Sequence, residues 1–257
     1  MKYVKQLITV LVLFFITLSG VSADQYSNKA IHWGIKRSTD GKPAEAGKAW
    51  DDLLAKHGAF YKTDPTKKEI YLTFDNGYEN GFTEKVLNVL NKEQVPAAFF
   101  VTGHYLESAP DLVKRMAKEG HIVGNHSWTH PDLTRVSDER ILEELEKVRK
   151  KTEELTGNKT MKYMRPPRGI FSERTMAMAK KQGYTHAFWS LAYVDWKTEQ
   201  QKGAQYAYDN IMKQIHPGAV ILLHTVSKDN ADALERVIQD LKKQGYIFKS
   251  LDDLKIQ

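Results

Sequence analysis

From Glu69 onward, short contiguous apolar runs alternate with longer segments in which apolar residues recur every three or four positions. The runs fall at 69–75 (EIYLTFD), 97–101 (AAFFV), 121–124 (HIVG), 162–165 (KYMR), 186–190 (HAFWS), 219–224 (AVILLH) and 246–249 (YIFK). Their length and their aromatic and β-branched content read as strands buried on both faces. The periodic segments, near 82–93, 109–119, 137–156, 172–182, 204–215 and 229–243, read as helices. Ser137 and Ser172 stand at N-cap positions, and Gly120, Gly157, Gly183 and Gly245 stand where helices end. Strand–helix alternation predicts parallel strands joined by helical crossovers, hence an α/β fold of seven strands. A single barrel-like domain is the simplest arrangement, with an open doubly wound sheet as the alternative.

The chain ahead of this pattern differs. Lys2 and Lys5 precede the apolar run Leu7–Leu18, and Val21-Ser22-Ala23 supplies small residues for cleavage, the pattern of a secretory signal peptide over residues 1–23. The run is too short to span a bilayer, which needs about 20 residues, so no stable membrane span is expected after cleavage. Residues 24–66 form an N-terminal extension with a helix predicted over Ala44–His57. Its Ala46, Ala49, Trp50, Leu53 and Leu54 share one face, which would pack on the main domain at 67–257. The chain has no cysteine, which excludes thiolate catalysis, disulfides and cysteine metal sites. Loss of Lys2 and Lys5 leaves 36 basic against 32 acidic residues, a net +4. That mild excess suits an anionic wall matrix, and no basic stripe points to nucleic acid. The expected product is a monomer secreted across the cytoplasmic membrane.

In parallel α/β folds the chemistry gathers beyond the C-terminal ends of the strands. Asp75-Asn76-Gly77 ends the first run. Asn125-His126 follows the third, with His130 beyond, and Arg165 ends the fourth. Asp195-Trp196 follows the fifth, and Leu222-Leu223-His224 ends the sixth. Each has an ordinary explanation. Asp-Asn-Gly is common turn chemistry. His126 and His130, four apart, suit either a metal or a hydrogen-bonded loop pair. His224 is a core histidine, or an acid with Asp195 as its partner. Trp196 stacks on a sugar ring or fills core. In Arg165-Pro166-Pro167-Arg168-Gly169 the prolines stiffen the backbone from which both arginines project.

In order, Thr73-Phe74-Asp75-Asn76-Gly77, His126-Ser127-Trp128-Thr129-His130, Arg165-Pro166-Pro167-Arg168-Gly169, Asp195-Trp196 and Leu222-Leu223-His224 resemble the five motifs of the polysaccharide deacetylases, the NodB-homology or carbohydrate esterase family 4 domain. The resemblance covers about residues 66–254. It implies a distorted (β/α) barrel with about seven parallel strands. It also implies a hydrolase that removes N-acetyl groups from a glycan. Asp75 would be the general base and His224 the general acid. Arg165 and Asp195 would orient and tune them. His126, His130 and Asn76 would hold a divalent metal, usually zinc. Trp196 would wall the groove, and Leu222 would line the acetyl pocket. Arg168 replaces an aromatic residue common in the family and would contact substrate.

One position departs from the family pattern. Asn76 stands where a second aspartate is usual, so an ion would be held less tightly. The longer string Thr73–Gly81 resembles a subgroup from endospore-forming bacteria that acts on N-acetylmuramic acid of peptidoglycan, on the way to the muramic δ-lactam of spore cortex. The expected partner is therefore a peptidoglycan glycan strand. The alternatives are deacetylation of N-acetylglucosamine in peptidoglycan or chitin oligomers, and a catalytically silent glycan-binding domain of the same fold.

Overall fold

A computed structural model describes residues 26–254. The signal peptide expected over residues 1–23 lies outside the described residues. Seven parallel strands form one curled sheet: β2 (Glu69–Asn76), β3 (Ala97–Val101), β4 (Ile122–Asn125), β5 (Tyr163–Met164), β7 (Thr185–His186), β8 (Ala219–His224) and β9 (Ile247–Phe248). The order is β7-β5-β4-β3-β2-β8, with β9 paired to the start of β2. Six of these strands coincide with runs of the sequence, whereas the run expected at 186–190 contributes only His186 to β7. A short antiparallel pair, β1 (Ile31–His32) with β6 (Ile170–Phe171), was not anticipated.

The sheet closes, which rules out the open doubly wound alternative. Beyond β7 the chain leaves regular pairing, yet the Ser190 N–H donates to Val220 O at 2.9 Å and the Leu222 N–H donates to Leu191 O at 2.9 Å. Residues of the extension fill the seam. Phe60 exchanges backbone bonds with His186 and Phe188, and the Thr63 N–H donates to Gly218 O. The result is a distorted barrel whose strand run at 186–190 is interrupted, because its backbone bonds go to Met164, Phe60 and β8.

Strand alternation sorts the side chains. Inside the barrel lie Tyr71, Ala98, Phe100, Tyr163 and Val220. On the outer face Ile70, Leu72, Phe74, Phe99, Ile221 and Leu223 join one large core with the helices. Those helices are α2 (Thr83–Glu93), α4 (Pro110–Lys118), α5 (Asp138–Thr156), α6 (Glu173–Lys181), α7 (Ala204–Gln214) and α8 (Lys228–Lys243). Ser137 and Ser172 cap α5 and α6 by accepting the Arg140 and Thr175 N–H groups. A six-residue helix, α3 (Gly103–Ser108), follows β3 directly and was not expected. Helix α1 (Lys48–His57) is shorter than the 44–57 expectation, and its buried face is narrower: Leu54 is buried, while Ala49 and Trp50 are exposed. Trp33, Tyr61 and Leu54 pack on Phe171 and Phe188. Among the described residues no helix is long and apolar enough to cross a membrane.

Candidate active site

Asp75 and His224 occupy directly paired positions on β2 and β8. Paired residues of a parallel ladder send their side chains to the same face, here into the barrel mouth. Arg165 follows β5 and is fully buried. Its Nη1 donates to Asp75 Oδ1 at 2.8 Å, its Nη2 to Thr73 Oγ1 at 2.8 Å and its Nε to Ala187 O at 2.8 Å. Its guanidinium carbon sits 4.3 Å from the Phe100 ring centre. Burial alone would raise the Asp75 pKa. The positive charge and hydrogen bond of Arg165, with His224 beside it, outweigh that and hold the carboxyl below its ordinary value.

On the other side of the mouth, His224 Nδ1 donates to Asp195 Oδ1 at 2.7 Å, and the His224 backbone N–H donates to Asp195 Oδ2 at 2.8 Å. Asn230 of α8 adds a third donor, Nδ2 to Asp195 Oδ2 at 2.5 Å, and takes the Tyr193 hydroxyl on its own oxygen. Asp195 is thus a buried, fully oriented anion. Burial lowers the His224 pKa, but the charge and hydrogen bond of Asp195 prevail and raise it. With Nδ1 committed to Asp195, His224 presents Nε2 as its other ring nitrogen.

His126 and His130 converge. His126 Nδ1 donates to Arg165 O at 2.8 Å, which leaves the lone pair on Nε2. That nitrogen lies 3.2 Å from His130 Nε2 and 3.5 Å from Asp75 Oδ2. Burial keeps both imidazoles neutral, with the His130 pKa lowered to about 3. Two nitrogens bound to one tetrahedral zinc at about 2.0–2.1 Å would be about 3.3 Å apart, so this pair fits an ion's edge. Asn76, expected as the third donor, does not line the cleft. It follows Asp75 on the same strand, so its side chain leaves by the opposite face. Its amide donates to Thr225 Oγ1 at 2.7 Å, and its Oδ1 is buried without a partner. Among the described residues no three His, Asp or Glu side chains converge as ligands.

These groups open into one cleft of about 810 Å³, walled by Trp128, Trp189, Trp196, Leu222 and Arg168. The polysaccharide deacetylase family model matches residues 62–187. The peptidoglycan-N-acetylmuramic acid deacetylase PdaA of Bacillus subtilis is 54% identical over 232 residues, 90% of this chain and 88% of that protein. The chain belongs to the polysaccharide deacetylase family. The solved structure of that Bacillus subtilis protein, a family 4 carbohydrate esterase, superposes with a TM-score of 0.87 at 55% identity, covering 89% of this chain and 97% of the other. A family 4 carbohydrate esterase from Bacillus anthracis gives 0.76 at 53% identity, with the same coverage.

The remaining residues of the deacetylase cleft fall as follows. Trp196 is half exposed, its ring centre 5.5 Å from that of His224. Leu222 is buried and lines the cleft. Arg168 is exposed, with a left-handed φ of 58°, a conformation non-glycine residues rarely adopt. The next residue, Gly169, has φ 66°, and a Cβ there would meet the Trp189 ring at 2.8 Å. The sequence reading assigned no role to Trp128, Trp189 or Tyr78. Trp128 stood between the two histidines, and Tyr78 followed Asp75-Asn76-Gly77, which was the available signal. Trp189 was hidden in a run read as strand core.

Proposed function

We propose that this protein hydrolyses the N-acetyl group of N-acetylmuramic acid residues in peptidoglycan. The observation that carries the reading is the in-register pair Asp75 and His224, one ionised and one biased toward protonation, facing a single aromatic-walled cleft. A binding module requires neither group. The N-acetylmuramic acid assignment rests on similarity to the Bacillus subtilis enzyme and on Arg168. Export by the leader at 1–23 would bring the extension at 24–66 and the domain at 67–257 to the wall.

Asp75 takes a proton from water as the oxygen attacks the acetyl carbon. His224 delivers a proton to the sugar nitrogen as the carbon–nitrogen bond breaks, leaving acetate and a free amine. Arg165 keeps Asp75 ionised, and Asp195 keeps the His224 proton in place. Leu222 abuts the acetyl methyl, and Trp196 stacks on a sugar face. His126 and His130 would hold a divalent ion, zinc by ligand preference, which when bound polarises the amide carbonyl and offsets oxyanion charge. A pair of neutral imidazoles without Asn76 grips such an ion weakly.

The active form needs Asp75 ionised and His224 protonated. The lowered Asp75 value puts the acid limb of kcat/KM below the ordinary carboxylate range, and the raised His224 value puts the basic limb above the ordinary imidazole range. Asp195→Asn removes the charge that raises His224 and leaves burial to lower it. The basic limb should therefore move to lower pH, and an unmoved limb would show that Asp195 does not tune the acid.

Arg168 supplies the selectivity. Muramic acid bears a lactyl group, a carboxylate when free of a stem peptide, which N-acetylglucosamine lacks. A guanidinium at the cleft wall pairs with it. Arg168→Tyr should lower kcat/KM on muramic substrates by about tenfold, the effect of one charged hydrogen bond, and spare glucosamine substrates. Acetate release measured from both substrate types tests the reading, and equal losses on both would remove Arg168 from recognition.

A further inference from the structure

Helix α5 grips the loop between the two histidines at two successive residues. Asn125 precedes His126, and its Nδ2 donates to Leu145 O of α5 at 2.8 Å, while its Oδ1 accepts the Ser127 N–H at 2.9 Å. Thr129 precedes His130. Its backbone N–H donates to Glu144 Oε2 at 2.6 Å and its hydroxyl to Glu144 Oε1 at 2.7 Å. Glu144 is itself buried, its side chain 1% exposed, and takes Arg140 Nη2 on Oε1 at 2.6 Å. The gripped loop is not relaxed. Ser127 has φ 62° and His130 has φ 56°, both left-handed and neither glycine. Such residues persist only where surrounding structure fixes them.

We propose that Glu144 is a positioning residue for the deacetylase reaction: its carboxylate holds Thr129 and so keeps His130 turned toward His126. A glutamine of the same shape can keep the Thr129 N–H on its oxygen, but its amide nitrogen then stands where Oε1 accepts both the Thr129 hydroxyl and Arg140 Nη2, so the hydroxyl bond must reverse and the Arg140 bond is lost. Glu144 touches neither substrate nor ion, so it acts through the loop. A buried carboxylate that merely stabilised α5 would have its partners on α5. Glu144 instead spends both oxygens on Thr129, with Arg140 sharing one of them.

The test compares the full-length enzyme with Glu144→Gln and with Val148→Ala. Val148 is a buried α5 residue in the hydrophobic core and serves as a control for lost stability. Melting temperature, kcat, KM and zinc affinity of chelated protein by calorimetry are measured on all three. Glu144→Gln should lose about 10- to 100-fold in kcat with KM within about twofold, because a misplaced catalytic group costs rate more than binding. It should also bind zinc at least about tenfold more weakly. Val148→Ala should melt lower but keep kcat and zinc affinity. The zinc arm rests on the reading of His126 and His130 as ligands. If wild type takes up no zinc, that reading fails on its own and the kcat comparison still decides Glu144. A Glu144→Gln enzyme that loses only melting temperature, as Val148→Ala does, overturns the proposal.

Discussion

Asp75→Asn and His224→Ala should each reduce acetate release by about 10²–10⁴-fold, the usual contribution of a general base or acid. The two losses arise differently. Asparagine in place of Asp75 still accepts from Arg165 but cannot take a proton from water. Alanine in place of His224 leaves Asp195 with its backbone and Asn230 donors and leaves no group to protonate the departing nitrogen. The variants also separate on stability. Asp75→Asn strips the counter-charge from a fully buried Arg165 and should lower the melting temperature, whereas His224 is partly exposed and its removal should cost little. Turnover on peptidoglycan fragments, with circular dichroism as the check on folding, measures both effects. Near-wild-type rates in either variant would remove the assigned roles.

Arg165→Met should be the most destabilising single change at the site, by roughly 3–5 kcal/mol, because it leaves a buried carboxylate without its cation. It also strands acceptors at Ala187 and Thr73 that the guanidinium now satisfies. The sign with pH follows from the direction of the Asp75 shift. A carboxyl whose folded pKa is depressed contributes stability above its unfolded pKa and loses it as pH falls through the folded value. Without Arg165 the burial of Asp75 raises that pKa instead, so the acid limb of activity should move up and stability should improve toward low pH. Arg165→Met combined with Asp75→Asn should recover part of the loss, since both charges are then gone. Urea unfolding of the single and double variants checks this. A single variant as stable as wild type would mean that the pair is not buried in solution as it is here.

Much of this architecture was legible in the chain because buried parallel strands are written as contiguous apolar runs. Six of the seven runs became strands of one sheet, the run at 186–190 kept only His186 in a strand, and Asp75, His126, His130, Arg165, Asp195 and His224 came to one rim. The closure was not legible. Residues 187–191 make backbone bonds to Met164, Phe60, Val220 and Leu222, a set of long-range contacts without local signature. Helix α3 was missed because it begins at Gly103, two residues past the end of β3, and is shorter than two turns. Trp50 and Ala49 were placed on a buried face by periodicity alone, and the edge of that face proved to be open to solvent. Asn76 teaches the opposite lesson. The family resemblance suggested a ligand beside Asp75, yet here the Asn76 amide is anchored on Thr225 and does not line the cleft. Glu144 carried no local signal at all, because only the packing of α5 against the histidine loop reveals what it holds.

The central claim is the removal of the acetyl group from muramic residues, and mass spectrometry of defined peptidoglycan fragments tests it most directly. Fragments containing both amino sugars are incubated with wild-type enzyme and with Asp75→Asn, then sequenced to locate the change. The account predicts loss of one acetyl group from N-acetylmuramic acid with wild type, intact N-acetylglucosamine, and no change with Asp75→Asn. Loss from N-acetylglucosamine instead, or unaltered fragments with folded wild type, would contradict it.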